Sequence, residues 1–222
     1  MTDRTEAVGR DFSLPAMLHA RERTFAAVRK IADAVRPGVS EGRAHEMAGE
    51  ILAGMGMDRL WHRNVIRFGA GTLETFHGDF RPDYVLGADD IFFVDLGVVW
   101  NGHEGDAGDT FVVGHDDEMR ACAEAARALW DEVAARWRDD GLTGEALYRC
   151  AGARAEALGW RLNHEVKGHR VSDFPHAIYK AGDLGDLAAC PTTGLWILEI
   201  QIAHPTRPFG AFYEDLLYRS QT

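Results

Sequence analysis

Four carboxylates stand where apolar strands should run on uninterrupted. Asp95 breaks the run Ile-Phe-Phe-Val-Asp-Leu-Gly-Val-Val, and Glu199 breaks Leu-Trp-Ile-Leu-Glu-Ile. A buried, unpaired carboxylate is so unfavourable that a folded chain keeps one only beside a partner. Each intruder has a candidate on a returning strand. A turn near residues 100–102 sets Asp95 roughly opposite Asp106, and one near residues 205–208 sets Glu199 roughly opposite Glu214. Cross-strand β-carbons lie about 5 Å apart, so four such groups converging from two hairpins repel strongly unless a multivalent cation lies among them. Oxygen-rich ligation with one or two imidazoles suits a hard or borderline divalent ion, and bridging carboxylates suit a pair of ions. Taken singly, each acid could instead be a strand-end residue or the ion-pair partner of an arginine.

The elements that must carry these groups follow from periodicity. Ser13 and Pro15 open a helix with Leu18, Phe25, Val28, Ala32 and Val35 on one face, and Pro37-Gly38 stops it. Ser40 caps a second helix with Ala44, Met47, Ile51, Leu52 and Met55 in register, ending at Gly56. Residues 59–113 turn β-like, and Asn101-Gly102 marks a hairpin. The order then repeats. Residues 116–140 form a long helix, Thr143 caps another that ends at Gly159, and strand signals follow at 160–166, 195–203 and 211–218. A shift of 103 positions carries Gly38 onto Gly141, Ser40 onto Thr143 and Gly56 onto Gly159, while a shift of 104 carries Asp95 onto Glu199. The pattern predicts two related halves, about 14–114 and 115–222, facing each other across a pseudo-two-fold axis.

Composition narrows the classes of function. The 222 residues carry 35 Asp plus Glu against 24 Lys plus Arg, a formal net charge of −11. That balance offers no basic field for nucleic acid or an anionic membrane face. All the cations but Lys30, Lys167 and Lys180 are arginine. Apolar runs stop after about four residues, far short of the roughly 20 a membrane helix needs, and residues 1–13 lack the apolar core of a signal peptide. Cys122, Cys150 and Cys190 are widely spaced with no Cys-x-x-Cys, which reads as reduced thiols in a cytoplasmic protein.

At this point the sequence resembles the pita-bread metallopeptidases: methionine aminopeptidases, Xaa-Pro aminopeptidases and prolidases. The resemblance runs from about Gly38 to Leu217 and rests on ordered spacing. Asp106 follows Asp95 by eleven residues, and His77 precedes Asp95 by eighteen. Gly168-His169 is followed seven residues on by His176, then by Glu199 in its apolar strand and by the pair Glu214-Asp215.

The resemblance implies an α+β pita-bread fold, with two pseudo-symmetric halves around a central antiparallel sheet. It implies one catalytic domain over residues 1–222, without a separate N-terminal domain. It implies two divalent metal ions per chain, Mn or Co first with Zn or Fe as alternatives. Asp95 would chelate one ion, His169 and Glu199 the other, and Asp106 and Glu214 would bridge them. A bridging hydroxide would attack the N-terminal peptide bond of a short peptide, with Glu199 as general base and His77 and His176 stabilising the oxyanion.

The Asp-Leu-Gly after the first acid and the closing Glu-Asp-Leu-Leu are similar to the Xaa-Pro branch. Methionine aminopeptidase activity is the alternative, against which stands Phe76 where those enzymes tend to have Cys. A non-catalytic binding protein and a creatinase-like amidinohydrolase are further readings. Departures gather near the substrate: Arg170-Val171-Ser172-Asp173-Phe174-Pro175 replaces a glycine-rich stretch, and Ala177, Ile200, Phe212 and Asp109 replace an acid, a Pro and two Arg. His103, Glu104, Asp109 and His204 adjoin the ligand positions and read equally as ligand-orienting groups or polar turn residues. His19, His45, His62 and His115 gain no support from the spacing and read as ordinary residues. Relatives are often dimers, and a homodimer could place Trp61, Trp100 or Trp137 at its interface.

Overall fold

A computed structural model describes residues 4–176 and 182–219. The first half contains α1 (Leu14–Ala34), α2 (Glu41–Gly54), β1 (Arg59–Leu60), β2 (Val65–Phe68), β3 (Asp90–Trp100) and β4 (His103–Val113). The second repeats the order with α3 (Asp117–Asp140), α4 (Gly144–Ala157), β5 (Arg161–Leu162), β6 (His169–Arg170), β7 (Trp196–Ala203) and β8 (Gly210–Leu216). The helices begin where short polar side chains reach back to free N–H groups. Ser40 accepts from Arg43 N, Asp116 from Glu118 N and Met119 N, and Thr143 from Ala146 N. Ser13 makes no side-chain cap; its own N–H donates instead to His103 Nε2 at 3.1 Å.

All eight strands join one antiparallel sheet in the order β1-β3-β4-β8-β7-β5, with β2 also pairing with β3 and β6 with β7. Each half thus lays two short strands on the outer edge of a long hairpin. The hairpins meet at the centre through the pair Gly108↔Glu214. This is the α+β architecture of two facing halves expected above.

Strand alternation sorts the side chains. Phe92, Val94, Leu96, Val98 and Trp100 of β3 point to the helix side and form a core with Val28, Ile31 and Leu52 of α1 and α2. Leu198, Ile200 and Ile202 of β7 do the same against Trp130, Val133 and Trp137 of α3. The opposite face carries Phe93, Asp95 and Gly97 on β3 and their cross-strand partners on β4. Burying one large apolar side chain contributes about 1.5–3 kcal/mol, so the two helix-side cores hold the sheet rigid while its other face carries the acids. Trp100 and Trp137 belong to these cores, 3 % and 1 % exposed. Their indoles donate to Thr24 Oγ1 and to the Pro191 carbonyl, so neither is placed to meet a second subunit.

The stretch before α1 is strapped across the second half. Glu6 accepts from Thr192 N and from the Trp196 indole, and Asp173 accepts from Gly9 N. The Arg170 guanidinium donates to the Thr5 and Ala7 carbonyls at 2.8 and 3.0 Å.

Candidate metal centre

The first hairpin turns tightly at Asn101-Gly102, so Trp100 pairs with His103 and the register follows from there. Asp95 therefore pairs with Gly108 and Asp106 with Gly97. The two acids share a face but lie diagonally, two residues out of the direct opposition expected from sequence. In the second hairpin Glu199 does pair directly with Glu214. Gly108 leaves room at the seam, because a Cβ there would meet Glu214 Oε1 at 2.9 Å and the Phe212 ring at 2.6 Å.

His169 enters from β6, next to β7. Its Nδ1 donates to the Arg170 carbonyl at 3.0 Å, and its Nε2 stands 2.9 Å from Asp106 Oδ2 and 4.0 Å from Glu199 Oε1. Gly168 N holds Glu199 Oε2 at 2.8 Å, and the Tyr148 hydroxyl clasps the Glu199 backbone. The five ligand candidates, Asp95, Asp106, His169, Glu199 and Glu214, thus come together at the seam between the halves.

Their electrostatics show a site short of positive charge. Burial, reinforced by Asp106 and Glu199, pushes the Asp95 carboxyl up to about 7. Burial likewise raises Glu199, and Glu214 goes well above the carboxylate range, with Asp106, Asp95 and Glu199 adding to the effect. Asp106 moves the other way: against its burial, His62 and His169 hold it below the usual range. Burial disfavours the charged ring of His169, but Asp106 and Glu199 outweigh it and bring that group to about 10. Asp95 Oδ1 and Glu214 Oε1 are buried oxygens without a hydrogen-bond partner, and Asp106 Oδ2 has only the His169 imidazole beside it. Oxygens orphaned in this way cost stability unless a cation takes them, so these residues fit a divalent metal centre.

His62 is the residue that spacing missed. It follows β1 and reaches over Gly97 to place Nε2 3.3 Å from Asp106 Oδ1 and 3.7 Å from Asp95 Oδ1. The signal available was Gly97 itself, two residues after an intruding acid on a strand where a side chain belongs.

His77 lines the cleft beside the carboxylates, and His176 reaches the site's edge through Trp61. His77 is exposed and lines a cavity of about 240 Å³ with Phe76, Asp95, His169 and Glu199, against an apolar wall of Val65, Phe93, Val166 and Phe212. His176 is half-buried and tied down by Glu104. The Glu104 carboxylate takes His176 Nδ1 at 2.5 Å and His176 N at 3.0 Å, and also accepts from Ser172 N at 3.0 Å. Trp61 packs edge-on against His62, His169 and His176 at 4.5, 5.4 and 5.4 Å between ring centres.

Of the groups beside the ligand candidates, Glu104 orients His176 and the rest serve the scaffold. His103 accepts from Ser13 N, Asp109 pairs with Arg127 at 2.8 Å, and His204 Nδ1 caps the turn at Thr206 and Arg207. The side chains replacing the glycine-rich stretch turn away from the cleft. Arg170 is 2 % exposed beneath the N-terminal strap, and Ser172 bonds Asp173. Phe212 stacks on Phe93 in the apolar wall. Ala177 lies outside the described residues.

The model of metallopeptidase family M24 matches residues 15–218. A search of curated protein sequences found no match. Among solved structures, the prolidase from Pyrococcus furiosus superposes with a TM-score of 0.75 at 20% identity, covering 96% of this chain and 63% of that one. The methionine aminopeptidase from Thermotoga maritima gives 0.70 at 16% identity, covering 92% of both chains. The X-Pro aminopeptidase from the same organism gives 0.72 at 16% identity, covering 90% of this chain. The present chain spans 56% of that enzyme's length. No described helix is long and apolar enough to cross a membrane.

Proposed function

Because the chain belongs to metallopeptidase family M24, we propose that it is a dinuclear metal-dependent peptidase. It removes the first residue of short peptides, with Xaa-Pro dipeptides or longer Xaa-Pro peptides as its substrates. The observation that supports this reading is the pair of orphaned oxygens on Asp95 and Glu214, converging with Asp106, His169 and Glu199 at the seam. Asp95 would hold one ion, His169 and Glu199 the other, and Asp106 and Glu214 both. When bound, two divalent ions supply Lewis-acid charge and make water a nucleophile near neutral pH.

The chain's own groups do the rest. Glu199, fixed by Gly168 N, takes the proton released on attack and returns it to the departing amine. His176, its ring set by Glu104, presents its other nitrogen to the scissile amide and steadies the charge that grows on the carbonyl oxygen. His77 closes the cleft from the opposite rim. The free thiols Cys122, Cys150 and Cys190 suit a reducing, cytoplasmic setting.

The apolar wall of Val65, Phe93, Val166 and Phe212 beside Asp95 favours one second reading, methionine aminopeptidase activity, since it would accept an apolar first side chain. Metal-free protein assayed on Ala-Pro, Gly-Pro and Met-Ala peptides with added Mn, Co or Zn separates the two. Hydrolysis that survives chelation, or the change Asp106→Asn, refutes both.

A further inference from the structure

We propose that His62 is itself a ligand to one of the two ions, completing with Asp95 and Asp106 a site of nitrogen and oxygen donors in the first half. The inference rests on the dinuclear reading above and adds a residue to it. Its first support is the likeness between His62 and His169. Each ring points Nδ1 at the carbonyl of the residue that follows, Arg63 at 2.7 Å and Arg170 at 3.0 Å. A carbonyl can only accept, so Nδ1 carries the proton, and in the neutral ring Nε2 is left with a lone pair. That is the arrangement by which a protein orients a metal-binding histidine. The two Nε2 atoms then stand at opposite oxygens of one carboxylate, His62 at Asp106 Oδ1 and His169 at Asp106 Oδ2.

Spacing and burial agree. Two donors about 2.1 Å from one ion lie roughly 3.0–3.4 Å apart at octahedral to tetrahedral angles; His62 Nε2 is 3.3 Å from Asp106 Oδ1, inside that range, and 3.7 Å from Asp95 Oδ1, a few tenths of an ångström beyond it. Asp95, 8 % exposed, turns a partnerless Oδ1 into the same space. The ring is also held in place. A Cβ on Gly97 would meet its Cδ2 at 1.9 Å, so the backbone leaves the slot the imidazole fills. Trp61 and Phe76 pack edge-on against it at 4.5 and 5.5 Å. The competing role is a charged imidazole that only bridges the two carboxylates.

The test uses the full chain, stripped by a chelator and reloaded with two equivalents of Co(II), by proton NMR in H₂O and D₂O. An imidazole bound to Co(II) shows its ring N–H as an exchangeable, strongly shifted resonance. Two such resonances are expected, one lost in His62→Gln and the other in His169→Gln, with one Co(II) binding step weakened at least about ten-fold in His62→Gln. A single exchangeable resonance, absent from His169→Gln and intact in His62→Gln, overturns the role of His62 and leaves the dinuclear reading standing. A wild-type chain that takes up no Co(II) overturns that reading instead. The wild-type count alone decides if His62→Gln does not fold.

Discussion

Glu104 offers the sharpest test of how the cleft is organised. Its carboxylate is 2 % exposed and accepts three hydrogen bonds, from Ser172 N, His176 N and His176 Nδ1. In Glu104→Gln the outline is kept, but one oxygen becomes a donor that must face a donor. Two losses follow. A buried N–H left unpaired costs about 1–3 kcal/mol of stability. Separately, the charge that supports the His176 ring, in the oxyanion role proposed for it, is gone. A hydrogen bond to a charged group contributes about 1.5–3 kcal/mol. At 1.36 kcal/mol per decade this predicts a fall in kcat of about 10- to 150-fold, with KM and metal uptake little changed. The assay is steady-state hydrolysis of the preferred peptide at saturating Mn(II), on protein shown by thermal melting to be folded. The change is repeated in a His176→Ala background. If Glu104 acts through His176, the second loss disappears there. An equal fall in both backgrounds refutes the reasoning.

Three further outcomes are expected. Arg170→Ala should cost about 2–3 kcal/mol and lower Tm by about 5–10 °C, because it frees two carbonyls of the N-terminal strap; calorimetry reads the shift and limited proteolysis reads the release. Arg207, helped by the N–H groups of Met119 and Glu118, brings the Asp116 carboxyl down to about 2. Its contribution is therefore present above its ordinary value near 3.8 and lost as pH falls through about 2; Asp116→Asn should flatten that stretch of an acid-unfolding curve while costing about 1 kcal/mol or less at pH 7. Burial pushes the Cys122 thiol up to about 12, so at pH 8 a thiol reagent should leave it unlabelled until the chain unfolds, as peptide mapping would show.

The parts of the site legible in sequence were those that broke a local rule. Asp95 and Glu199 stood out because an acid inside an apolar strand demands a reason, and the hairpins pointed to Asp106 and Glu214. The diagonal placing of Asp95 and Asp106 was within reach, since a two-residue turn at Asn101-Gly102 fixes Asp95 opposite Gly108; a turn placed only near residues 100–102 leaves the pairing two residues out. His62 stayed hidden because it sits in an irregular stretch after a two-residue strand, where no periodicity links it to Asp95. Arg170 misled in the opposite sense. It stands as a departure near the substrate, yet its direction is set by backbone carbonyls more than 160 residues earlier in the chain. Contacts that distant leave no trace in local pattern.

The single register point Gly108↔Glu214 joins the hairpins, and it has a consequence for how the protein is made. Asp95, Asp106 and His62 come from the first half, whereas His169, Glu199 and Glu214 come from the second. The cage is absent from every partly folded chain in which the halves are still apart. Contacts of such long sequence separation form late, so on the proposed metal reading ion capture would mark the closing event of folding. In stopped-flow refolding, added Co(II) should leave the early collapse unchanged and slow only the reopening of the finished molecule. The ion would then work as a latch, tying the lifetime of the native state to the free metal concentration around it.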